Sequence, residues 1–131
     1  MKIYTSYYGR TKKLIKNNIL PISISLFKPK YLKDDIKNEL KYLAPRYNML
    51  KMEVPEYVPN YTNILKRFSA KKVIEEIKQI TKGKDCALMC YERPEDFCHR
   101  HMVSEWLSKN TEFEVIEWSG EEKESSQVDL F

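Results

Sequence analysis

The sequence predicts an α/β fold: a single small domain with a mainly parallel sheet in Rossmann-like layering, followed by a disordered C-terminal tail. Three observations carry this. Segments rich in β-formers alternate with segments of helical apolar spacing, the order that builds parallel sheets. Residues 85–91 (Asp-Cys-Ala-Leu-Met-Cys-Tyr) are an almost unbroken apolar run, as a strand buried on both faces requires. Residues 119–131 begin Ser-Gly-Glu-Glu-Lys-Glu-Ser-Ser and are too polar to pack. The domain is therefore set at residues 1–118 and the tail at 119–131.

The elements follow in order. Residues 2–8 are rich in β-formers and stop at Gly9, which reads as a first strand. Residues 12–16 make a short helical or loop connection. Residues 20–27 alternate apolar residues with serine, a second strand opened by Pro21 and closed by Pro29. Leu32, Ile36, Leu40 and Leu43 have helical spacing, which predicts a helix over 32–43 that Pro45 stops. Residues 45–60 hold Pro45, Pro55 and Pro59 and read as irregular connection. Helical spacing resumes at Tyr61 with Ile64, Leu65 and Phe68. Ser69 then caps a helix whose apolar face is Val73, Ile74, Ile77 and Ile80, and Lys82-Gly83-Lys84 ends it. After the buried strand and a polar loop, Met102, Val103, Trp106 and Leu107 mark a helix over 97–109. Residues 113–118 are the last strand.

At 131 residues the chain can bury a core without staples. Its three cysteines, Cys86, Cys90 and Cys98, are an odd number and do not suggest a secreted disulfide framework, so reduced thiols in a cytoplasm are expected. The opening Met1-Lys2-Ile3-Tyr4 has no apolar signal region, and no apolar run approaches the length of a membrane span. The net charge is +4 but unevenly placed. Residues 1–60 carry 12 Lys/Arg against 5 Asp/Glu, residues 61–118 carry 10 of each, and the tail carries 1 against 4. A basic first half can meet nucleic-acid phosphates, and equally it can be a solvated surface.

The densest chemistry is Cys90-Tyr91-Glu92-Arg93-Pro94-Glu95-Asp96-Phe97-Cys98-His99-Arg100-His101, where a buried strand gives way to a helix. Ligands of open α/β sheets bind at the carboxyl ends of strands. The start of the next helix favours an anion, and Arg100 there offers a bidentate donor. With Cys90 and Tyr91 it forms the expected ligand-binding set. Cys98, His99 and Glu92 are the expected catalytic set: a thiol in a positive field, a base, and an acid or base. Neighbours on a helix point about 100° apart, so Cys98 and His99 are expected to pair poorly. Two other readings stay open. A metal site would have Cys90, Cys98 and one histidine, three ligands and thus no closed zinc site, and no metal is assigned. A structural reading makes the cysteines core residues and has His99 and Arg100 bond loop carbonyls. No cofactor is indicated.

This element, Cys90-Tyr91-Glu92 followed by Cys98-His99-Arg100 and a helix carrying Glu105-Trp106-Leu107, resembles the motif of the family known as domain of unknown function 488. The resemblance extends over residues 1–118: Ile3-Tyr4-Thr5-Ser6-Tyr7-Tyr8, Pro21-Ile22-Ser23-Ile24-Ser25, Leu43-Ala44-Pro45, and Tyr57 and Tyr61 followed by Leu65. It implies a small α/β fold and a pocket near Cys90, Glu92, Cys98, His99 and Arg100. Other branches of the family carry Asp-x-Arg where this chain has Ser23-Ile24-Ser25, so an activity resting on that pair would differ here or be missing.

The chain ends Gln127-Val128-Asp129-Leu130-Phe131, which resembles the bacterial sliding-clamp-binding pattern Gln-Leu-Ser/Asp-Leu-Phe. A flexible peptide can seat two large apolar anchors, here Leu130 and Phe131, in a preformed pocket, with Gln127 and Asp129 fixing register. The expected partners are therefore the bacterial DNA sliding clamp, with DNA or a nucleotide beside it, and no membrane. The expected function is a bacterial or bacteriophage DNA-metabolism accessory protein, tethered by its tail, whose pocket at residues 90–100 binds or processes a nucleotide, a modified base or another anionic ligand. The alternatives are a non-enzymatic clamp-binding regulator and a metal-binding protein.

Overall fold

In the computed structural model, which describes residues 1–93 and 96–121, five strands form one sheet. They are β1 (Ile3–Tyr7), β2 (Leu20–Ser23), β3 (Asn38–Glu39), β4 (Cys86–Cys90) and β5 (Ile116–Glu117). Their order is β3-β2-β4-β1-β5 and every pairing is parallel, as the alternating pattern predicts. The central strand β4 pairs Cys86 with Ile3 and Cys90 with Tyr7 on one side, and Cys86 with Leu20 on the other.

Among the described residues four α-helices flank the sheet: α1 (Thr11–Lys16), α2 (Val54–Leu65), α3 (Ala70–Thr81) and α4 (His99–Asn110). Successive strand residues point to opposite faces. Cys86 and Leu88 accordingly join the core of α2, α3 and α4, with Tyr61, Ile77, Val103 and Leu107. Ala87 and Met89 face the other layer, with Leu14 of α1, Leu32, Ile36 and Trp118. Burying each such Leu or Ile contributes roughly 1.5–3 kcal/mol. Helix α3 begins where Ser69 Oγ accepts the Lys72 N–H at 3.3 Å and ends at Lys82, in the left-handed region at φ 55°, followed by Gly83 at φ 83°.

Four segments depart from the predicted elements, one being the last strand, which holds only Ile116–Glu117 of residues 113–118. The second strand ends at Ser23 rather than residue 27, because the chain bends away where the Ser23 and Ser25 hydroxyls both bond the Tyr8 hydroxyl. The helix predicted over 32–43 is instead a 3₁₀ turn at Lys30–Leu32, the two-residue β3 and a second turn at Lys41–Leu43. Leu32, Ile36, Leu40 and Leu43 are nonetheless all buried, and the Leu40 N–H bonds the Ser23 carbonyl at 2.9 Å. Edge pairing to β2 replaces the helical bonds. Conversely, α2 starts at Val54, inside the stretch read as irregular. Pro55 falls in its first turn, where a missing N–H costs little, and Pro59 is tolerated inside.

The chain leaves β2 towards the layer holding Leu32 and Ile36, and leaves the adjacent β4 towards α4 in the opposite layer. Diverging exits from neighbouring strands leave a crevice at their carboxyl ends. Among the described residues no helix is long and apolar enough to cross a membrane.

Candidate functional site

That crevice is a cleft of about 430 Å³, within the range of small-molecule sites. Its floor is Cys90 at the end of β4 and Cys98 and His99 at the start of α4. Ser25 and Phe27 reach it from the exit of β2, Tyr57 from α2, and Tyr91, Glu92 and Phe97 from the loop between β4 and α4. Five of the six residues singled out in the sequence loop thus share one cleft: Cys90, Tyr91, Glu92, Cys98 and His99.

Cys98 is the residue before α4, with extended backbone at φ −151° and ψ 145°. Its side chain therefore does not follow the helical 100° rotation. Cys98 Sγ stands 3.6 Å from His99 Nδ1, so the pair expected to diverge in fact meets. His99 Nε2 lies 2.6 Å from the Ile24 carbonyl oxygen. A carbonyl only accepts, so Nε2 carries the proton and the neutral ring presents the Nδ1 lone pair to the sulfur. Burial, then the positive charge of Arg100 and His101, pushes the His99 pKa down to about 4, partly opposed by the Ile24 hydrogen bond. Tyr61 packs edge-on against the His99 ring at 5.4 Å, and its hydroxyl donates to the Leu43 carbonyl, which fixes both rings.

The thiols also depart from expectation. Cys90 and Cys98 are joined as a disulfide whose Cα atoms are 7.4 Å apart, while Cys86 is free and buried. Burial pushes the Cys86 thiol up to about 12. It lies on β4 away from the cleft and plays no part in it.

Arg100, expected to face an anion, is fully buried and turned away from the cleft. Its Nε and Nη2 donate to the two carboxylate oxygens of Glu117 on β5, both at 3.0 Å. Its Nη1 donates to Cys90 Sγ at 2.9 Å and to the Glu92 carbonyl at 2.6 Å. Thr5 Oγ1 donates to the same carboxylate at 2.6 Å. The guanidinium thus ties β4, β5 and α4 together beneath the site, with Thr5 of β1 on the same carboxylate, and serves as a scaffold where the sequence suggests a ligand arm. The Glu92 backbone is held by this bond, while its side chain is exposed at the cleft.

A family model described as DUF488-N3a, active DUF488-N3 subclade, matches residues 3–111. The chain belongs to the DUF488 family. No curated protein and no solved structure matches it. Within this DUF488 chain, Ser23-Ile24-Ser25 has a defined local role. Tyr8 Oη lies 2.8 Å from Ser23 Oγ and 2.7 Å from Ser25 Oγ, and the Ile24 carbonyl orients His99. The segment that departs from Asp-x-Arg therefore supports the imidazole through its backbone.

Sequence reasoning named Tyr91 but missed the other aromatic walls, Tyr57 and Phe97. Tyr57 and Phe97 meet edge to face at 5.2 Å, Tyr57 stacks on Tyr61 at 5.8 Å, and Tyr91 stands edge-on to Tyr8 at 4.8 Å. Tyr91 is 51% exposed and Phe97 40% exposed, yet both line the cleft. The available signal was Tyr57 and Tyr61, four apart on a segment hidden by two prolines. The clamp-like residues Gln127, Val128, Asp129, Leu130 and Phe131 lie outside the described residues, as do Pro94 and Glu95.

Proposed function

We propose that this DUF488 protein binds and processes a nucleobase-bearing ligand in the cleft, and that its C-terminal peptide tethers it to the bacterial sliding clamp. The observation that carries the first half is the pairing of a sulfur–imidazole floor with aromatic walls. Cys98 and His99 sit at the floor with a neutral imidazole lone pair on the sulfur. Partly exposed Tyr91 and Phe97, with Tyr57, line the approach. Every base has a flat π-face, so aromatic side chains hold bases through stacking. The description of the matched subclade as active agrees with a working site. The basic first half of the chain suits a phosphate-bearing ligand or nearby DNA. With Arg100 bound to Glu117, the ligand's orientation rests on stacking and on the floor.

Nucleosides, nucleotides and single-stranded oligonucleotides titrated into the protein test the cleft. Phe97→Ala is expected to weaken the best ligand about tenfold, from the roughly 1–3 kcal/mol that stacking of one base contributes. No binding by any of these ligands, or binding indifferent to Phe97→Ala, overturns the reading. The tether is tested by clamp affinity of the full chain and of a form lacking residues 127–131. Equal affinity removes the second half. A cytoplasmic, replication- or repair-associated location follows from the tether and stands or falls with it.

A further inference from the structure

Cys90, Cys98 and His99 bring two Sγ atoms and one imidazole nitrogen within 4.8 Å of one another, all on buried residues. We infer that, in its reduced state, the protein holds one divalent, borderline-soft cation of the zinc class on these three residues, with the remaining coordination position open to the cleft. The inference rests on the cleft being the working site and names the chemistry at its floor.

Four observations converge. The Cys98 Sγ to His99 Nδ1 distance is 3.6 Å. A tetrahedral zinc with ordinary Zn–S and Zn–N bonds sets that edge at about 3.5 Å. His99 is oriented as a ligand: its Nε2–H is fixed on the Ile24 carbonyl and the lone pair of Nδ1 faces the sulfurs, the outer-shell arrangement that orients metal-bound imidazoles. Cys90 Sγ receives an N–H from Arg100, whose own charge is matched by Glu117. One divalent cation and two thiolates are neutral together, and so are Arg100 and Glu117, so a filled site buries no net charge. Finally, the Cys90 and Cys98 Cα atoms stand 7.4 Å apart, wider than the roughly 4.4–6.8 Å usual for a disulfide. A bridging ion needs the sulfurs about 3.8 Å apart, so the disulfide must open and its sulfurs separate before the ion enters.

Three protein ligands with one position open towards a substrate cleft is the plan of catalytic rather than structural zinc sites. All three ligand residues line the cleft. Filling the site from the disulfide takes two steps. A phosphine reductant takes up the oxygen of one water and becomes its oxide, leaving two thiols. The thiols then lose two protons as they bind the cation.

The 131-residue protein, reduced with a water-soluble phosphine and titrated with Co²⁺ in the absence of nucleotide, tests this. One equivalent is expected to bind, with a thiolate-to-cobalt charge-transfer band and the visible bands of tetrahedral cobalt, and zinc should displace it. Cys90→Ser, Cys98→Ser and His99→Gln are each expected to weaken binding by at least tenfold, while Cys86→Ser leaves it unchanged. No charge-transfer band, a band that survives Cys98→Ser, or a pair that resists reduction overturns the inference. Should a variant fail to fold, X-ray absorption on the wild-type zinc form decides. Two sulfurs in the first shell support the site, and a shell of nitrogen and oxygen alone rejects it. Cobalt binding without nucleotide binding sinks only the proposed function, and the reverse sinks only the metal site.

Discussion

Glu117→Ala is the perturbation that most directly tests the new role of Arg100. The guanidinium is wholly buried, and two of its N–H groups bond the Glu117 carboxylate at 3.0 Å each. Removing the carboxylate leaves a buried cation with, among the described residues, the Cys90 sulfur and the Glu92 carbonyl as acceptors. Breaking a buried pair in this way costs roughly 3–5 kcal/mol. The Glu117 side chain is 22% exposed, so water reaches part of the vacated space and the lower end, about 3 kcal/mol, is expected. With a urea slope of about 1–3 kcal/mol per molar, the unfolding midpoint should fall by roughly 1.5 M. The double variant Arg100→Met with Glu117→Leu separates a lost attraction from a stranded charge. It should recover most of the loss, because apolar replacement of a whole buried pair is often neutral. Equilibrium urea unfolding followed by far-UV circular dichroism measures all three proteins. A Glu117→Ala midpoint within error of wild type would show that the guanidinium is hydrated, and the scaffold assignment would fall.

Tyr8→Phe removes the hydroxyl that bonds both Ser23 and Ser25 in a buried setting. A loss of about 1–3 kcal/mol is expected in the same unfolding assay, and a change below about 0.5 kcal/mol would show that water replaces the phenol. The Cys86 thiol, pushed up to about 12 by burial, should resist alkylation in the native protein. At pH 8 its thiolate fraction is roughly a thousandfold below that of an ordinary thiol. Peptide mass mapping after brief iodoacetamide treatment of the reduced protein should find label on Cys90 or Cys98 first. Equal labelling of Cys86 contradicts the burial argument. Ser69→Ala should cost about 1 kcal/mol through loss of the α3 cap, with the cleft unaffected. Thermal unfolding together with unchanged ligand affinity checks it.

The legible parts of the fold are those whose local pattern and tertiary setting agree. Residues 86–90 are apolar throughout and form the strand buried from both sides. Val73, Ile74 and Ile77 repeat at helical spacing behind a serine cap and form α3. The stretch from 30 to 52 was legible as core and illegible as backbone. Leu32, Ile36, Leu40 and Leu43 are all buried, but a parallel edge beside β2 claims Asn38 and Glu39, and periodicity carries no information about that edge. In α2 the reverse holds: Pro55 and Pro59 suppress the local signal, while Tyr57, Tyr61, Ile64 and Leu65 supply a buried face that stabilises the helix from outside.

The site shows the same division at finer scale. The loop was legible as chemistry because its residue types are rare together, but the role of each depends on partners far away in sequence. Arg100 reads as an anion donor until Glu117 is placed beside it, and nothing local announces a carboxylate 17 residues later on the neighbouring edge of the sheet. Cys98 and His99 read as divergent until Cys98 is seen to lie one residue outside the helix, where extended backbone turns its sulfur towards Nδ1. The Cys-His-Arg triplet is therefore three residues with two destinations. Cys98 and His99 enter the cleft, while Arg100 passes beneath it and holds Cys90, the Glu92 backbone and β5 in place. Helical geometry explains the parting: His99 and Arg100 are successive helical residues and must diverge by about 100°. One direction meets the Ile24 carbonyl at the mouth of β2, and the other meets Glu117. A motif of this form sets a reactive pair and its anchor in one turn, so displacing the anchor should disturb the cleft even though Arg100 does not line it.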